Sequence, residues 1–561
     1  MKPASALLLN LLLGASLAGQ NPGAAKPATG AEIEGIVTKD PEGEPVKKAL
    51  IELIAENQAV GGDYTATTGA DGTFRIENIL PGRYHLFAER SGFFEADKNH
   101  GRSDGQLLTL GAGQSVKDLH IRFQAAAVVR GRVTDEDGDP LPNAEVSVLR
   151  QTFVSGHNHW DQAGAERTND LGEYRIANLP TGNFYVSVAP PPDFKSLIEQ
   201  GGVAGESRSS AAEKPALSYQ TTYYPGTTDR SQAGAIQLHA GDDFPVDFTL
   251  VPSPSLSIRG TVVNLPPRAS AAIMLQSRDF GLVLNGAEMH RDGSFVIRDV
   301  SPGNYTIVAT VDGAAVPMTA RQPLQIGASN VDGLRLEPQP AAVVRGRMRL
   351  ESRGGMSGFD PDKIFLTLQA VEGEPEGGVT FGEGFSNITH VAADGSFQWT
   401  DVPAGSYYVE MAGENGEGDG WYLKAVSAGG RDVNDVGMSV SGGLVVMDVV
   451  ASANGGVVEG VITDHKGEAV ANAVVVAVPE ARLRGRVDRY RKTVSDQSGH
   501  FSLRGLRPGE YTLLAWESVD EGAYYNPEFL KVYEGQGTVL RVSEGERKSV
   551  HVEAIAEGQE Q

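Results

Sequence analysis

A short pattern of alternating apolar and polar residues recurs along the chain. In its first copy Phe74 and Ile76 alternate with polar neighbours, a Pro-Gly turn follows, and Tyr84 and Leu86 alternate in the same way. A period of two with one apolar side is typical of a half-buried strand. The block therefore predicts two β-strands joined by a turn.

The block occurs five times. Each copy has a glycine, an aromatic residue two positions later, a branched aliphatic residue five positions after that, and a second aromatic residue ten positions after the first. The first aromatics are Phe74, Tyr174, Phe295, Phe397 and Phe501, the aliphatics are Ile79, Leu179, Val300, Val402 and Leu506, and the second aromatics are Tyr84, Phe184, Tyr305, Tyr407 and Tyr511. A repeat about 100 residues long is a domain, whereas the rung of a solenoid is much shorter.

Further strands are predicted upstream of each block. Every copy is preceded by a glycine that opens an apolar alternation, weakest in the fourth copy, at Gly35, Gly131, Gly260, Gly346 and Gly460. In copies one, two and five a turn and a strand that starts with alanine come next, at Ala49, Ala144 and Ala473. No long stretch shows a sustained helical period, and the best helical candidate, residues 194–199, is short. The fold class predicted is all-β.

Short strands with turns every 8–12 residues, in about 100 residues per copy, suit an antiparallel β-sandwich of the prealbumin-like or Ig-like kind. We expect a tandem array of five such units, named here unit 1 to unit 5: residues 31–124, 127–252, 256–338, 341–452 and 456–556. Unit 2 carries an insertion near residues 196–232. The joints between units are short, and the glycine-containing joint 454–456 is expected to be the loosest.

The ends and the composition point to export. Residues 1–19 have the charge, apolar run and small residues of a signal peptide, and residues 20–30 form a Pro/Ala/Gly linker. No later apolar run is long enough for a transmembrane helix. The chain lacks cysteine, which excludes disulfides and thiolate chemistry, and its formal net charge of −24 argues against nucleic-acid binding. We expect a periplasmic, cell-surface or extracellular protein.

Two segments of unit 2 carry a family resemblance. The run GRVTDEDGDPLPNA from Gly131, together with GEYRIANLPTGNF from Gly172, resembles the carboxypeptidase regulatory-like domain family. The resemblance is strong in units 1, 2 and 5 and partial in units 3 and 4. It implies a prealbumin-like β-sandwich, grouped with Cna-B-like and carbohydrate-binding-like modules, and an accessory role in an exported bacterial protein. The family name does not imply peptidase activity, which must be argued from sites.

Four local motifs could carry chemistry, and each has a simpler interpretation. His465 and Glu468 have the spacing of a zinc site, but they occupy a turn, and zinc needs three or four converging ligands. Residues 101–105 match a nucleophile elbow, but a strand rather than a helix follows them. The acidic run 135–139 resembles a calcium loop and fits an acidic β-turn better. The cluster 157–161 holds two histidines with no identifiable third ligand and is interpreted as a variable loop.

Aromatic residues outside the repeated block are the remaining candidates. Flat rings in loops can stack on the apolar face of a sugar. The candidate sugar-stacking residues are Trp160, Trp421, Tyr223, Tyr224, Tyr524 and Tyr525. Packing between neighbouring units is the alternative explanation for them. Trp399 replaces a core residue of the block and is expected to be buried.

Five copies that share core positions and differ in their loops suit a scaffold better than an active site. We therefore predict a non-catalytic, exported structural or interaction protein of the cell envelope or secreted space, with no catalytic residues, metal or cofactor. The alternative is a carbohydrate-binding accessory protein that uses the loop aromatics. The expected partners are a polysaccharide or another envelope protein, and nucleic acid is not expected. The sequence sets no oligomeric state.

Overall fold

The computed structural model describes residues 30–57, 61–96, 105–154, 157–191, 217–254, 256–278, 283–327, 329–351, 364–371, 387–413 and 420–556. The signal peptide, almost all of the linker and the helical candidate 194–199 lie outside them, as does most of the unit 2 insertion. The described chain is an all-β array of small sheets, as predicted. Within this part of the chain, every helix is too short or too polar to cross a lipid bilayer.

Units 1 and 2 are each built from two facing sheets. Unit 1 contains β1 (Ala31–Lys39), β2 (Leu50–Ala55), β3 (Tyr64–Thr67), β4 (Thr73–Ile79), β5 (Gly82–Glu89), β6 (Phe93–Glu95), β7 (Gln106–Leu110) and β8 (Ser115–Ala125). Its sheets have the orders β4-β1-β8-β6 and β3-β2-β5-β7. Unit 2 contains β9 (Ala127–Thr134), β10 (Glu145–Val154), β11 (His157–Arg167), β12 (Glu173–Leu179), β13 (Gly182–Ala189), β14 (Leu217–Ser218), β15 (Thr222–Tyr223), β16 (Ala235–Leu238), β17 (Asp243–Pro245) and β18 (Phe248–Thr249), with a 3₁₀ turn at Arg230–Gln232. Strand β19 (Ser253–Pro254) follows in the joint and pairs with β14.

Units 3 and 4 repeat the arrangement. Unit 3 contains β20 (Leu256–Val262), β21 (Ser270–Ser277), β22 (Val283–Gly286), β23 (Glu288–Met289), β24 (Ser294–Val300), β25 (Gly303–Asp312), β26 (Met318–Ile326) and β27 (Val331–Leu336), followed by β28 (Gln339–Pro340). Unit 4 contains β29 (Ala342–Glu351), β30 (Ile364–Ala370), β31 (Ile388–His390), β32 (Ser396–Val402), β33 (Gly405–Gly413), β34 (Tyr422–Ala428), β35 (Arg431–Asp432), β36 (Met438–Val440) and β37 (Gly443–Ser452).

Unit 5 adds helical segments to the sandwich. It contains β38 (Gly456–Thr463), β39 (Val474–Pro479), β40 (Arg491–Val494), β41 (His500–Leu506), β42 (Gly509–Trp516), helix α1 (Pro527–Tyr533), β43 (Thr538–Val542) and β44 (Arg547–Glu553), with 3₁₀ turns at Ala481–Leu483, Val487–Arg489 and Ala523–Tyr525. Asn526 caps α1 by accepting from two backbone N–H groups, and Pro527 stands at its first turn, which is a typical helix start.

One sheet of every unit includes a parallel pair among its antiparallel strands. The opening strand of the unit lies next to the closing strand, and the two run in the same direction, as for β1 with β8, β20 with β27 and β38 with β44. The chain therefore enters and leaves each unit in neighbouring strands.

The repeated residues form the cores, as the sequence predicts. All five first aromatics, all five branched aliphatics and all five second aromatics are buried. They belong to five separate apolar clusters, one in each unit. Trp399 is also buried, and its indole N–H donates to the carbonyl of Asn387 at 2.9 Å.

The opening glycine makes room for the first aromatic ring in units 1, 3, 4 and 5, and in unit 2 it makes room for the backbone of Val246. Gly35 lies opposite Phe74 in the pairing of β1 with β4, and the corresponding glycines of the other units lie opposite their own aromatics. A Cβ atom on Gly35 would be 2.5 Å from the carbonyl oxygen of Leu119 and 2.6 Å from the Phe74 ring. The glycine is thus required by close packing of a ring and a parallel strand against bare backbone.

The second aromatic position carries a hydrogen bond wherever it is tyrosine. The hydroxyl of Tyr84 donates to the carbonyl of Leu80 at 2.7 Å, and that of Tyr305 donates to Ser301 at 2.8 Å. Tyr407 and Tyr511 make the same bond to the residue four positions back. The ring thereby fixes the turn between the two strands of the block as well as filling the core.

Candidate functional site

The predicted stacking residues of unit 2 do not form a platform together. Tyr223 is only 7 % exposed, so its ring face is not available to a sugar. Tyr224 packs on the unit 2 core. Trp160 lies on strand β11, contrary to the loop we expected, with its ring 4.4 Å from that of Tyr185 and with the Arg230 guanidinium 5.4 Å from it.

The tyrosine pair of unit 5 belongs to a second core. Tyr524 is completely buried, so the prediction that it stacks on a ligand is wrong. It lies in a cluster that the repeat did not reveal, formed between strand β42 and helix α1 by residues including Tyr490, Trp516, Leu530 and Tyr533. Tyr525 is partly buried against the same cluster, 4.7 Å from Tyr524 between ring centroids. Burial is the main cause that raises the pKa of Tyr524, whose hydroxyl donates to Glu521.

The other local motifs resolve into ordinary contacts. Asp135 accepts from the backbone N–H groups of Asp137 and Asp139, which makes the acidic run a turn, as interpreted. Asp464 forms the equivalent turn around His465. The residues 157–161 lie on a strand, which corrects the loop interpretation. Of the segment 101–105, only Gly105 is among the described residues. The described residues contain no group of three or more His, Asp or Glu side chains placed to hold a metal.

Trp421 stands directly before strand β34 and next to Gly420, whose backbone contacts the joint between units 4 and 5. The joint 454–456 is held in place, although we expected it to be the loosest. The N–H of Gly455 donates to the carbonyl of Gly420, and a Cβ on Gly455 would be 2.6 Å from the Cα of Gly505. The glycines at this joint therefore serve close approach of backbones instead of flexibility.

A buried ionic network joins units 4 and 5. Arg486 and Arg489 follow strand β39 of unit 5 and are both buried, and each donates to the carbonyl oxygen of Asn434 in unit 4 at 2.8 Å. Arg486 forms a two-pronged ion pair with Asp488 at 2.7 and 2.9 Å. Its guanidinium lies 3.8 Å from the centre of the Tyr408 ring of unit 4. Burial lowers the pKa of Arg489, which shows how far this group is removed from water.

Asp435 completes the network from the side of unit 4. It accepts from Arg507 at 2.7 Å and also pairs with Arg489 and Arg482 at 3.3 Å. A second set of contacts lies beside it, where Lys424 of unit 4 pairs with Glu544 of unit 5 at 3.2 Å. Charges arranged in a partly buried network hold a joint more firmly than single exposed pairs do.

Unit 5 also contacts units 1 and 2, which are far from it in the sequence. The Gln497 side chain accepts from the backbone N–H of Thr109 at 3.0 Å and donates to its carbonyl at 2.8 Å, on the edge strand β7 of unit 1. The rings of Phe153 in unit 2 and Phe529 in unit 5 are 6.5 Å apart. The array therefore closes on itself.

A large cleft opens where units 1, 2 and 5 meet. Its volume is about 1630 Å³. Its floor is the outer face of strands β2, β5 and β7 of unit 1, and its walls come from Arg150 and the turn at Thr181 in unit 2 and from strand β40 in unit 5. No motif pointed to this cleft, because it depends on how separate units pack.

The sequence comparisons agree with the fold. Residues 32–123, 128–195 and 457–543 match the carboxypeptidase regulatory-like domain family. These three stretches, which lie in units 1, 2 and 5, are therefore similar to carboxypeptidase regulatory-like domains. They are the units in which the sequence resemblance is strongest, and all three also hold a buried hydroxyl, at Thr68, Thr168 and Ser495, that bridges two backbone groups.

Part of the chain is also similar to part of a much larger protein. The chain is 24% identical over 189 residues to carboxypeptidase D of Drosophila melanogaster, covering 31% of this chain and 12% of that protein. It thus spans about an eighth of the length of this relative. Solved structures that resemble the chain include the minor pilin of Streptococcus agalactiae (15% identity, TM-score 0.21, 40% of this chain and 97% of that one) and the shaft pilin of Lactobacillus rhamnosus (10%, 0.19, 40% and 98%). The Bacillus anthracis TIE protein is 16% identical, with a TM-score of 0.16, over 55% of this chain and 49% of that one.

Proposed function

We propose that this protein is an exported, non-catalytic scaffold that acts as a structural or adhesive module of the cell envelope or secreted space. The proposal rests on the position of the repeated residues in the structure. Every aromatic and aliphatic position of the block packs into a core, and the opening glycines serve that packing. The repeated sequence thus supplies a frame, and the variable segments supply contacts between units and with partners.

The contacts between units support the same function. The network around Asp435 and the closely approaching glycines at the joint 454–456 hold units 4 and 5 together. The bonds from Gln497 hold unit 5 against unit 1. A protein that presents a surface at fixed geometry needs such fixed joints.

Cell fractionation tests the proposal. Cells that produce the full chain are separated into cytosol, envelope and medium, and the amino terminus of the product is sequenced. We expect the protein outside the cytosol with its amino terminus near residue 20. The purified chain should leave the carboxy-terminal residues of test peptides uncleaved. Retention in the cytosol with an intact leader, or hydrolysis of those peptides above buffer, contradicts the proposal.

Carbohydrate binding is a second candidate function, supported by one observation. Trp160, Tyr185 and Arg230 form a compact aromatic and cationic group on one sheet of unit 2. Rings of this kind can stack on a pyranose. A glycan array tests it, probed with the full chain, with Trp160→Ala, and with Leu171→Ala, an exposed apolar residue of the same unit, as the control. Binding that Trp160→Ala abolishes and the control keeps supports this function, and no binding on the array refutes it.

A further inference from the structure

The floor of the cleft between units 1, 2 and 5 is unusually apolar for the outer face of a sheet. In a two-sheet sandwich the outer faces are commonly polar because they meet water. Here Leu50 and Ile54 of strand β2 and Phe87 of strand β5 face outward into the cleft, and Leu107 of strand β7 lies buried beside them. Such a face is suited to contact with the apolar side chains of a binding partner.

The charges around this floor have the opposite balance to the whole protein. The chain carries 72 acidic and 48 basic residues. Among the described residues that line the cleft, five are basic and three are acidic: Lys48, Arg83, Arg90, Arg150 and Lys492 against Glu56, Glu89 and Glu95. Arg83 pairs with Glu56 at 3.2 Å, and Lys492 pairs with Glu521 outside the lining at 3.0 Å. The residues that line the cleft therefore carry an excess of two basic groups, whereas the whole chain has an acidic excess.

Arg150 is the most enclosed of these cations. Its Nε atom is buried without a hydrogen-bond partner, and Asp161 and Asp520 are the carboxylates that act on its charge from a distance. Burial lowers the pKa of Arg150, although the group remains charged at neutral pH. A cation in this position attracts a carboxylate more strongly than an exposed one does.

The size and lining of the cleft indicate the kind of partner. Sites for single small molecules usually have volumes of about 300–1,000 Å³, and this cleft is larger. The floor offers the apolar side chains of Leu50, Ile54 and Phe87, on which the apolar side chains of a polypeptide can pack. We propose that the cleft binds an extended acidic polypeptide segment of a partner protein, with apolar side chains on the floor and carboxylates at the basic rim. This deepens the proposed scaffold function, on which it rests, by naming a class of partner.

Binding of defined polymers to the full chain tests the inference. The probes are fluorescent poly(Glu,Tyr), poly(Lys,Tyr) and polygalacturonate, measured by anisotropy. Because the protein has a net charge of −24, it repels acidic polymers overall, so binding requires a local site. We expect poly(Glu,Tyr) to bind and the other two polymers not to bind.

Variants assign the binding to the cleft. Leu50→Asp changes a partly exposed floor residue, and Val539→Asp, on a valine of unit 5 outside the cleft, is its control. Arg150→Glu changes the enclosed cation, and Arg130→Glu, on an exposed arginine of unit 2, is its control. Both cleft variants should weaken binding of poly(Glu,Tyr) by about tenfold or more, whereas both controls should leave it nearly unchanged.

Three results would overturn the inference: no binding of poly(Glu,Tyr), preferential binding of poly(Lys,Tyr) or polygalacturonate, or equal binding by cleft and control variants. Preference for polygalacturonate would identify an acidic glycan in place of a polypeptide. The outcome is separate from that of the proposed function, because export and the absence of peptidase activity are measured by fractionation and hydrolysis and do not depend on the cleft.

Discussion

Replacement of Gly35 by alanine should open unit 1 locally. The new Cβ would be 2.5 Å from the Leu119 carbonyl oxygen and 2.6 Å from the Phe74 ring, closer than real Cβ atoms come. Strand β8 or the ring must move, because neither neighbour is the end of a flexible side chain. Added bulk in a packed core costs about 1–3 kcal/mol, and two rigid obstacles place this site at the upper end. Alanine also restricts the unfolded chain, which stabilises the folded state by about 0.4–1 kcal/mol, so the net destabilisation is about 2 kcal/mol.

Hydrogen exchange of the full chain, followed by mass spectrometry, measures this effect within one unit. About 2 kcal/mol corresponds to a roughly thirtyfold faster exchange in peptides from strands β1 and β8. The matched control is Gly62→Ala in the same unit, where the nearest atom to a new Cβ is 3.8 Å away. The control should leave exchange of these strands unchanged.

Two outcomes would refute this reasoning. If Gly35→Ala exchanged like the natural chain, the glycine would not be needed for packing. If Gly62→Ala accelerated exchange equally, the effect would come from the loss of any glycine. Either result would remove the physical explanation for the glycine that opens every unit.

Three further predictions concern hydrogen bonds and ion pairs. Tyr305→Phe loses the hydrogen bond to Ser301 and should lower the free energy of unfolding of unit 3 by about 1 kcal/mol, measured by urea titration followed by hydrogen exchange. An unchanged urea midpoint would show that the hydroxyl does not contribute to stability. Thr68→Val removes a buried hydroxyl that is hydrogen-bonded to two backbone groups and should lower the free energy of unfolding of unit 1 by about 2 kcal/mol in the same assay. A smaller loss than for Tyr305→Phe would contradict this bridging role of the hydroxyl. Burial raises the pKa of Asp435, but the hydrogen bond and charge of Arg507 outweigh it, so the pKa lies below its usual value. The Asp435 contribution to docking of units 4 and 5 is then complete above about pH 3.9 and is lost as the pH falls through the lowered value. Small-angle scattering of the natural chain should show that units 4 and 5 separate at low pH, whereas Asp435→Asn should show no comparable change as the pH falls. Identical pH profiles of the two proteins would exclude the Asp435 carboxylate as the cause of the separation.

The cores could be predicted from the sequence because they depend on local order. A strand with period two places every second residue on one face, and the spacing from Phe74 to Tyr84 fixes which side chains meet. The burial of Trp399 followed from its place in the same spacing. Five copies of one pattern made the prediction robust, since each unit repeats the same physical solution.

The candidate site could not be predicted in this way because it depends on contacts between distant parts of the chain. Tyr524 stands outside the repeat, and the sequence predicts it at the surface, yet it is buried in a cluster with residues of helix α1. The signal for that helix was present, since Asn526 followed by Pro527 is a typical helix start. No comparable signal announces the contact of Gln497 with Thr109, which are 388 residues apart.

The contact between the last and the first unit has a consequence for the history of such proteins. In an open row of repeats, duplication or deletion of one copy changes the length and little else. Here the loss or gain of a middle copy would carry Gln497 away from Thr109 and dismantle the cleft. A contact between unit 1 and unit 5 constrains the number of copies that lie between them, so natural variation should accumulate within these copies instead of changing their number.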